Sequence, residues 1–281
     1  LLTKDSQTTA NARKPLMAEM SRLVEVDPGV RPLSIQWMQR QRDGSSDNMK
    51  DHFGFADGNS NPVLYESQAG KSYSNQVHLG EILCGYPNLA DATAPLGDAS
   101  NRAHAMLRDG SFMALRKLRQ DVEQLEDVLS RATRQATETV GSGAPALTRE
   151  TLMAKMMGRW PTGHPNAGQP LTPTPPPGPQ YNDFTYEADA QAQLCPFHAH
   201  IRRANPRVPI TKADAGARPP RIVRRGMSYG PPVDPQAAKS APPPERGLVF
   251  MAYNASLGEQ FEVVQSWLAG GNSSGSSSGE S

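Results

Sequence analysis

The stretch Gly247–Ala255, GLVFMAYNA, is the strongest strand signal in the chain and decides its fold class. It is a continuous apolar run, as expected of a strand covered on both faces. Side chains alternate along a strand, so Leu248, Phe250 and Ala252 share one face and Val249, Met251 and Tyr253 share the other. A helix is expected directly after it, over Leu257–Leu268, with Phe261, Val264 and Trp267 or Leu268 turned inward.

Upstream, Gly110 opens a second strand and helix. Ser111–Arg116 reads as strand. Leu118, Val122, Leu125, Leu129, Ala132 and Ala136 then recur at three- and four-residue steps, the pattern of an amphipathic helix packed on a core. GSGAP (141–145) stops it. Thr148 is placed to cap a further helix over Leu152–Gly158, with Glu150 in the first turn facing the positive end of the dipole. RWPTGHP closes that helix at proline. Residues 165–180, PNAGQPLTPTPPPGPQ, read as an extended spacer with polyproline II character, and Pro231–Pro244 is a second proline cluster. Nearer the N-terminus, Pro15–Val26 is a helical candidate, HLGEILCGYP (78–87) a short strand and 88–104 a loop. The order strand, helix, helix, long loops, strand, helix is that of an α+β protein.

Composition narrows the function classes. The chain has 281 residues and a formal net charge of +1, so neither a nucleic-acid nor a membrane-surface partner is expected. Charged residues make up 20% and hydrophobic residues 37%, and the 26 prolines and 24 glycines imply long connections. Cys84 and Cys195 are too few for a disulfide framework and read as unpaired thiols. No apolar run reaches the roughly 18 residues of a membrane span. The first residues do not read as a secretory signal. A cytoplasmic location is therefore expected, with secretion left open because the chain does not start with Met. Residues 270–281 read as a flexible Gly/Ser tail.

Three separated segments carry chemistry. CPFHAHIRRANPR, Cys195–Arg207, sets His198 and His200 ahead of three arginines. An imidazole nitrogen can bind iron axially, and guanidinium groups can pair with the propionates of a haem. HFGFADGNSNP, His52–Pro62, is a turn-built loop in which Gly54 and Gly58 bracket Asp57 and leave its carboxylate unshielded. RIVRRGMSYGPP, 221–232, places Arg224 and Arg225 at the end of a short apolar step.

With these segments in view, the chain resembles the dye-decolourising haem peroxidases. The family's GFxDG signature is matched by Gly54–Gly58, and its AH-IRRANPR block by Ala199–Arg207. Its distal-arginine block is matched by Arg224, Gly226 and Tyr229–Pro231. GSFxxxRxLRQDV, GRWPxG and RGLxFxxYN are matched by Gly110–Val122, Gly158–Gly163 and Arg246–Asn254. The resemblance runs from about residue 50 to the end.

The resemblance implies a ferredoxin-like α+β fold of the dimeric barrel type, with an antiparallel sheet, peripheral helices and haem mainly in the C-terminal half. It implies a remnant of the N-terminal half and a linker over 1–104, and the haem domain over 105–269. Haem b would be the cofactor. His200 would bind the iron from the proximal side, with His198 standing where the family has a small residue. Asp57 would be the distal acid–base group and Arg224 the distal arginine. Leu248 and Phe250 would line the distal pocket. Arg202 or Arg203 would reach a propionate, Arg203 being carried forward as the cofactor contact. The implied activity is reduction of hydrogen peroxide through a ferryl intermediate, with dyes, phenolics or other organic donors as reducing substrates. A haem-handling protein with little turnover is the alternative. Trp160, Trp267 and Tyr229 are candidates for surface electron relays, and Glu259 and Glu262 for a carboxylate behind the proximal imidazole. A second chain supplying the other half, or a homo-oligomer, is the expected partner.

Overall fold

The computed structural model describes residues 14–15, 17–22, 24–25, 29, 33–39, 41–43, 46–56, 58, 60–65, 76–88, 102–140, 147–167, 182, 184–207, 219–234 and 242–270. The chain divides into two compact units, Leu1–Trp37 and Met38–Ser281. The GFADG loop lies in the second unit, where Ala56 N–H donates to the Pro161 carbonyl at 2.9 Å and, just before the loop, the Gln120 side chain donates through Nε2 to Asp51 Oδ2 at 2.9 Å.

In the first unit the described positions between residues 14 and 25 are helical (α1). In the second, β1 (Gln41–Asp43) and β2 (Ser46–Lys50) form an antiparallel ribbon, and β3 (Val63–Tyr65) and β4 (Gln76–His78) a parallel pair. A short helix, α2 (Arg102–Leu107), precedes the main sheet. That sheet is antiparallel and centred on β8 (Gly247–Asn254). On one side β8 pairs along its whole length with β5 (Phe112–Arg119); on the other it pairs with β6 (Val223–Arg224) and β7 (Met227–Tyr229).

The register sets up the site. Residues opposite one another in an antiparallel pair present side chains on the same face. Leu248 stands opposite Leu118, Phe250 opposite Arg116, and Ala252 opposite Ala114 and Arg224. Leu248, Phe250 and Ala252 are two residues apart, so Arg116, Leu118, Arg224, Leu248 and Phe250 share one face.

Four helices complete the α+β architecture: α3 (Val122–Val140), α4 (Arg149–Met157), α5 (His200–Ala204) and α6 (Glu262–Ala269). α3 packs on α4, α4 on α5 and α5 on α6. Leu129 and Met153 are both buried to within 2% of full coverage, each worth roughly 1.5–3 kcal/mol of apolar burial. Among the described residues no helix is long and apolar enough to cross a membrane. Cys84 and Cys195 are both free and buried.

Several sequence-based boundaries move. β5 runs on to Arg119, so Leu118 is a strand residue rather than the start of α3. Each residue of 112–119 finds a ladder partner on β8, and this outweighs the local helical spacing. Asp121 then opens the helix, its carboxylate accepting from Gln124 N–H at 3.1 Å. α4 is capped as expected, Thr148 Oγ1 accepting from Thr151 N–H at 3.2 Å, but it starts at Arg149. It ends at Gly158 (φ 84), before any proline, because the left-handed conformation turns the Gly158 N–H onto the Ala154 carbonyl at 2.8 Å. In HLGEILCGYP only His78 is strand. Leu79–Glu81 is a 3₁₀ turn, folded back by the Gly80 N–H bond to the Pro87 carbonyl at 3.2 Å. The last helix opens with one π-turn, Leu257–Phe261, capped by Ser256. Residues 141–146, 168–181, 235–241 and 271–281, which include GSGAP, most of the proline spacer and the Gly/Ser tail, lie outside the described residues.

Candidate functional site

The shared sheet face forms one wall of a cavity of about 540 Å³, within the roughly 300–1,000 Å³ usual for ligand pockets. Arg116, Leu118, Arg224, Leu248 and Phe250 contribute from the strands. His200, Ile201 and Ala204 of α5 line it, as do Phe261, Val264 and Leu268 from the π-turn and α6. Phe55, Ala56, Gly58 and Ser60 close it from the GFADG loop.

His200 opens α5. It lies deep in the protein, yet its side chain is open, because the surface it exposes faces the cavity. Burial, and secondarily the charge of Arg224, lower its pKa to about 4. The imidazole is therefore neutral at pH 7, with a nitrogen lone pair available to a metal. His198 is exposed and outside the lining.

Five-residue helices do not hold themselves in place. α5 is held from behind by a buried ion pair, Arg202 Nη1 to Asp189 Oδ2 at 3.0 Å, with side-chain exposures of 5% and 2%. The same Asp189 carboxylate accepts from Leu194 N–H at 2.9 Å and Cys195 N–H at 2.8 Å. Arg202 also donates to the Cys195 and Asp189 carbonyls at 2.7 and 3.0 Å and sits 4.4 and 4.7 Å from the Tyr186 and Phe197 ring centroids.

The GFADG loop is turned by Gly54 (φ 92) and Gly58 (φ 81), both in the left-handed region that favours glycine. Asp51 Oδ1 accepts from Phe55 N–H at 2.9 Å within it. Asn61 then ties the loop to β6. Its Oδ1 accepts from Arg224 N–H at 3.0 Å and its Nδ2 donates to the Arg224 carbonyl at 3.1 Å. Asp57 itself lies outside the described residues, while both chain neighbours, Ala56 and Gly58, line the cavity.

The structure thus brings His200, Arg224, Leu248 and Phe250 together. Arg203 is not among the lining residues, and the Arg202 guanidinium is paired with Asp189. The lining arginines besides Arg224 are Arg116, Arg159, Arg207 and Arg221. Arg207 belongs to the quoted IRRANPR block, and Arg116 was findable from strand alternation once β5 reached Arg119. Arg159 stands in the quoted GRWPxG block and Asn61 in the HFGFADGNSNP segment, but the sequence alone singles out neither as a site residue. Arg159 is fixed by Gly163 O at 2.7 Å and Ser60 Oγ at 2.6 Å, and Arg207 by Asn182 O at 2.7 Å and Phe184 O at 3.1 Å. Glu259 and Glu262 are exposed and outside the lining, a solvated helix face. Trp160, Trp267 and Tyr229 are buried at 3%, 7% and 3% exposure, so none offers a surface ring for electron transfer.

Five arginines, a neutral imidazole and a largely apolar remainder meet one carboxylate, Asp51, among the described lining residues. That donor set fits a haem: an axial nitrogen for iron, apolar walls for the macrocycle and cations for its propionates.

Comparison with known proteins agrees with this geometry. The profile of the Dyp-type peroxidase C-terminal family matches residues 48–277. The chain is 32% identical over 237 residues to the multifunctional dye peroxidase of Amycolatopsis sp., covering 76% of this chain and 45% of that one. It is similar to a solved dye-decolorizing peroxidase from Auricularia auricula-judae (27% identity, TM-score 0.67, 90% of this chain and 56% of that one). It is also similar to one solved in complex with 2,6-dimethoxyphenol (28% identity, TM-score 0.60, 81% of this chain and 50% of that one). The chain spans about half the length of the curated relatives it matches.

Proposed function

This chain belongs to the Dyp-type peroxidase family, and on that premise we propose that it binds haem b in the cavity between the sheet and α5 and reduces hydrogen peroxide at the expense of organic donors such as dyes and phenols. When bound, the haem supplies the iron that takes up peroxide and passes on its oxidising equivalents. The protein's own groups do the rest.

His200, neutral at working pH, would hold the haem iron through an imidazole nitrogen without first losing a proton. Asp57 would be the acid–base group that moves a proton from one oxygen of peroxide to the other, so that water leaves. Gly54 and Gly58 give the loop the turn this needs. The Arg224 guanidinium stabilises negative charge on the departing oxygen, and Asn61 holds Arg224 to the loop that carries Asp57. Leu248 and Phe250 keep the distal space apolar, which strengthens both electrostatic effects. Arg207 and Arg221 are the cations best placed in sequence, beside the His200 and Arg224 segments, to meet propionates. The expected partner, a second chain or a second copy, is part of this reading. Met113 and Leu115, 50% and 56% exposed on the outer face of β5, are the surface it would cover.

The observation that carries the proposal is that His200 and Arg224, 24 positions apart, line one cavity, in which the Arg224 charge helps to lower the His200 pKa. The test is peroxide addition to the haem-loaded chain, followed by absorption. A Soret shift is expected, slowed by roughly 10²–10⁴ in Asp57→Asn and Arg224→Leu with haem retained. A Soret band that peroxide leaves unchanged overturns the peroxidase reading in favour of haem handling.

A further inference from the structure

We infer that Asp189 and Arg202 are positioning residues for the axial imidazole, setting the orientation of His200 from behind α5. The inference rests on the reading of His200 as the iron ligand.

Successive residues of a helix are about 100° apart, so Arg202 points roughly 200° away from His200. One enters the cavity and the other the protein interior. α5 starts at His200 with Ala199 before it, and no side chain caps it. Its placement therefore comes from outside. Asp189 binds both ends of the segment leading to His200: Leu194 and Cys195 through their N–H groups, and Arg202 through its guanidinium. Arg202 closes the ring by donating to the Cys195 carbonyl at 2.7 Å. Residues 189–202 thus form a loop cross-tied at its base, with His200 held just inside the tie. The Tyr186 and Phe197 rings fix the guanidinium plane. Gly158 completes the support, since a Cβ there would come within 2.5 Å of Ile201 Cγ1 and 3.1 Å of Cys195 Sγ. Rotation of the helix about its axis would break several buried bonds together, so the direction from which the His200 side chain enters the cavity is fixed by groups that never touch the ligand.

The test uses the full chain loaded with haem, in three variants: Asp189→Asn, Arg202→Lys and His200→Ala. Haem affinity is read by titration, imidazole orientation by the iron–imidazole stretch in resonance Raman of the ferrous form, and folding by far-UV circular dichroism. Asp189→Asn and Arg202→Lys are expected to stay folded, to lose about tenfold or more in haem affinity, and to show a shifted or split stretch. Arg202→Lys keeps the charge and loses the fork, so it carries the test if Asp189→Asn does not fold. A single unshifted stretch and unchanged affinity in a folded variant overturn the inference, provided His200→Ala loses the band. If His200→Ala keeps the band, it is the ligand assignment that fails.

Discussion

Arg224 lies near enough to His200, within one cavity, for its charge to add to the effect of burial and hold the imidazole's pKa at about 4. The consequence is a pH dependence of definite sign. Between the ordinary value near 6.5 and 4, the unfolded chain protonates this histidine and the folded chain does not. The unfolded state binds more protons there, so stability falls as pH drops through that window and levels off below it. His52 and His164, also lowered chiefly by burial, act in the same direction. The diagnostic is therefore the difference between the haem-free chain and His200→Gln in urea unfolding at pH 7 and pH 5. The variant should lose less on acidification; an equal loss argues against a depressed His200.

The two ion pairs that differ most in burial should differ most in energy. Removing one partner of Asp189–Arg202, as in Arg202→Ala, leaves a buried carboxylate uncompensated and should cost about 3–5 kcal/mol. The Lys117–Glu245 pair, 2.7 Å apart with side chains 47% and 67% exposed, should lose no more than about 1 kcal/mol in Glu245→Gln. Denaturant unfolding of both variants measures the contrast. Similar losses would mean the buried pair is not the anchor of α5.

Gly158 and Gly270 both have positive φ, 84° and 125°, but only Gly158 has neighbours that a Cβ would strike. Gly158→Ala should cost backbone strain and steric push together, about 2–4 kcal/mol, and should weaken haem retention by displacing Ile201 next to His200. Gly270→Ala should cost about 1 kcal/mol and leave haem retention unchanged. Thermal melts and haem titrations of the two variants check this.

The arginine assignment is separable by mutation. Arg207 lines the cavity and Arg203 does not. A charge-assisted bond to a carboxylate contributes about 1.5–3 kcal/mol, so Arg207→Ala should lower haem affinity by roughly 10- to 100-fold. Arg203→Ala should leave it within about twofold. The opposite ranking would restore Arg203 as the propionate contact.

What could be read in advance follows the range of the interactions involved. β8 and the faces of Leu248 and Phe250 were legible because a strand's alternation is a local property. The Thr148 cap was legible for the same reason. The extent of β5 was not, since its last residues are held by partners more than 120 positions away. The π-turn at Leu257 was not, because helical spacing does not register one extra residue in a turn. In the site, His200 and Arg224, the residues that motif likeness picked out, both line the cavity, but likeness could not choose among the other arginines. That choice depends on which way α5 is rotated, and Asp189, six residues before Cys195 and in no motif, holds that rotation.

The most direct measurement is a haem titration of the chain, His198→Ala and His200→Ala, followed by the Soret band. The chain and His198→Ala should give the same saturable band, and His200→Ala should lose it. A band that survives in His200→Ala and vanishes in His198→Ala would contradict the assignment of the cavity histidine as the axial ligand.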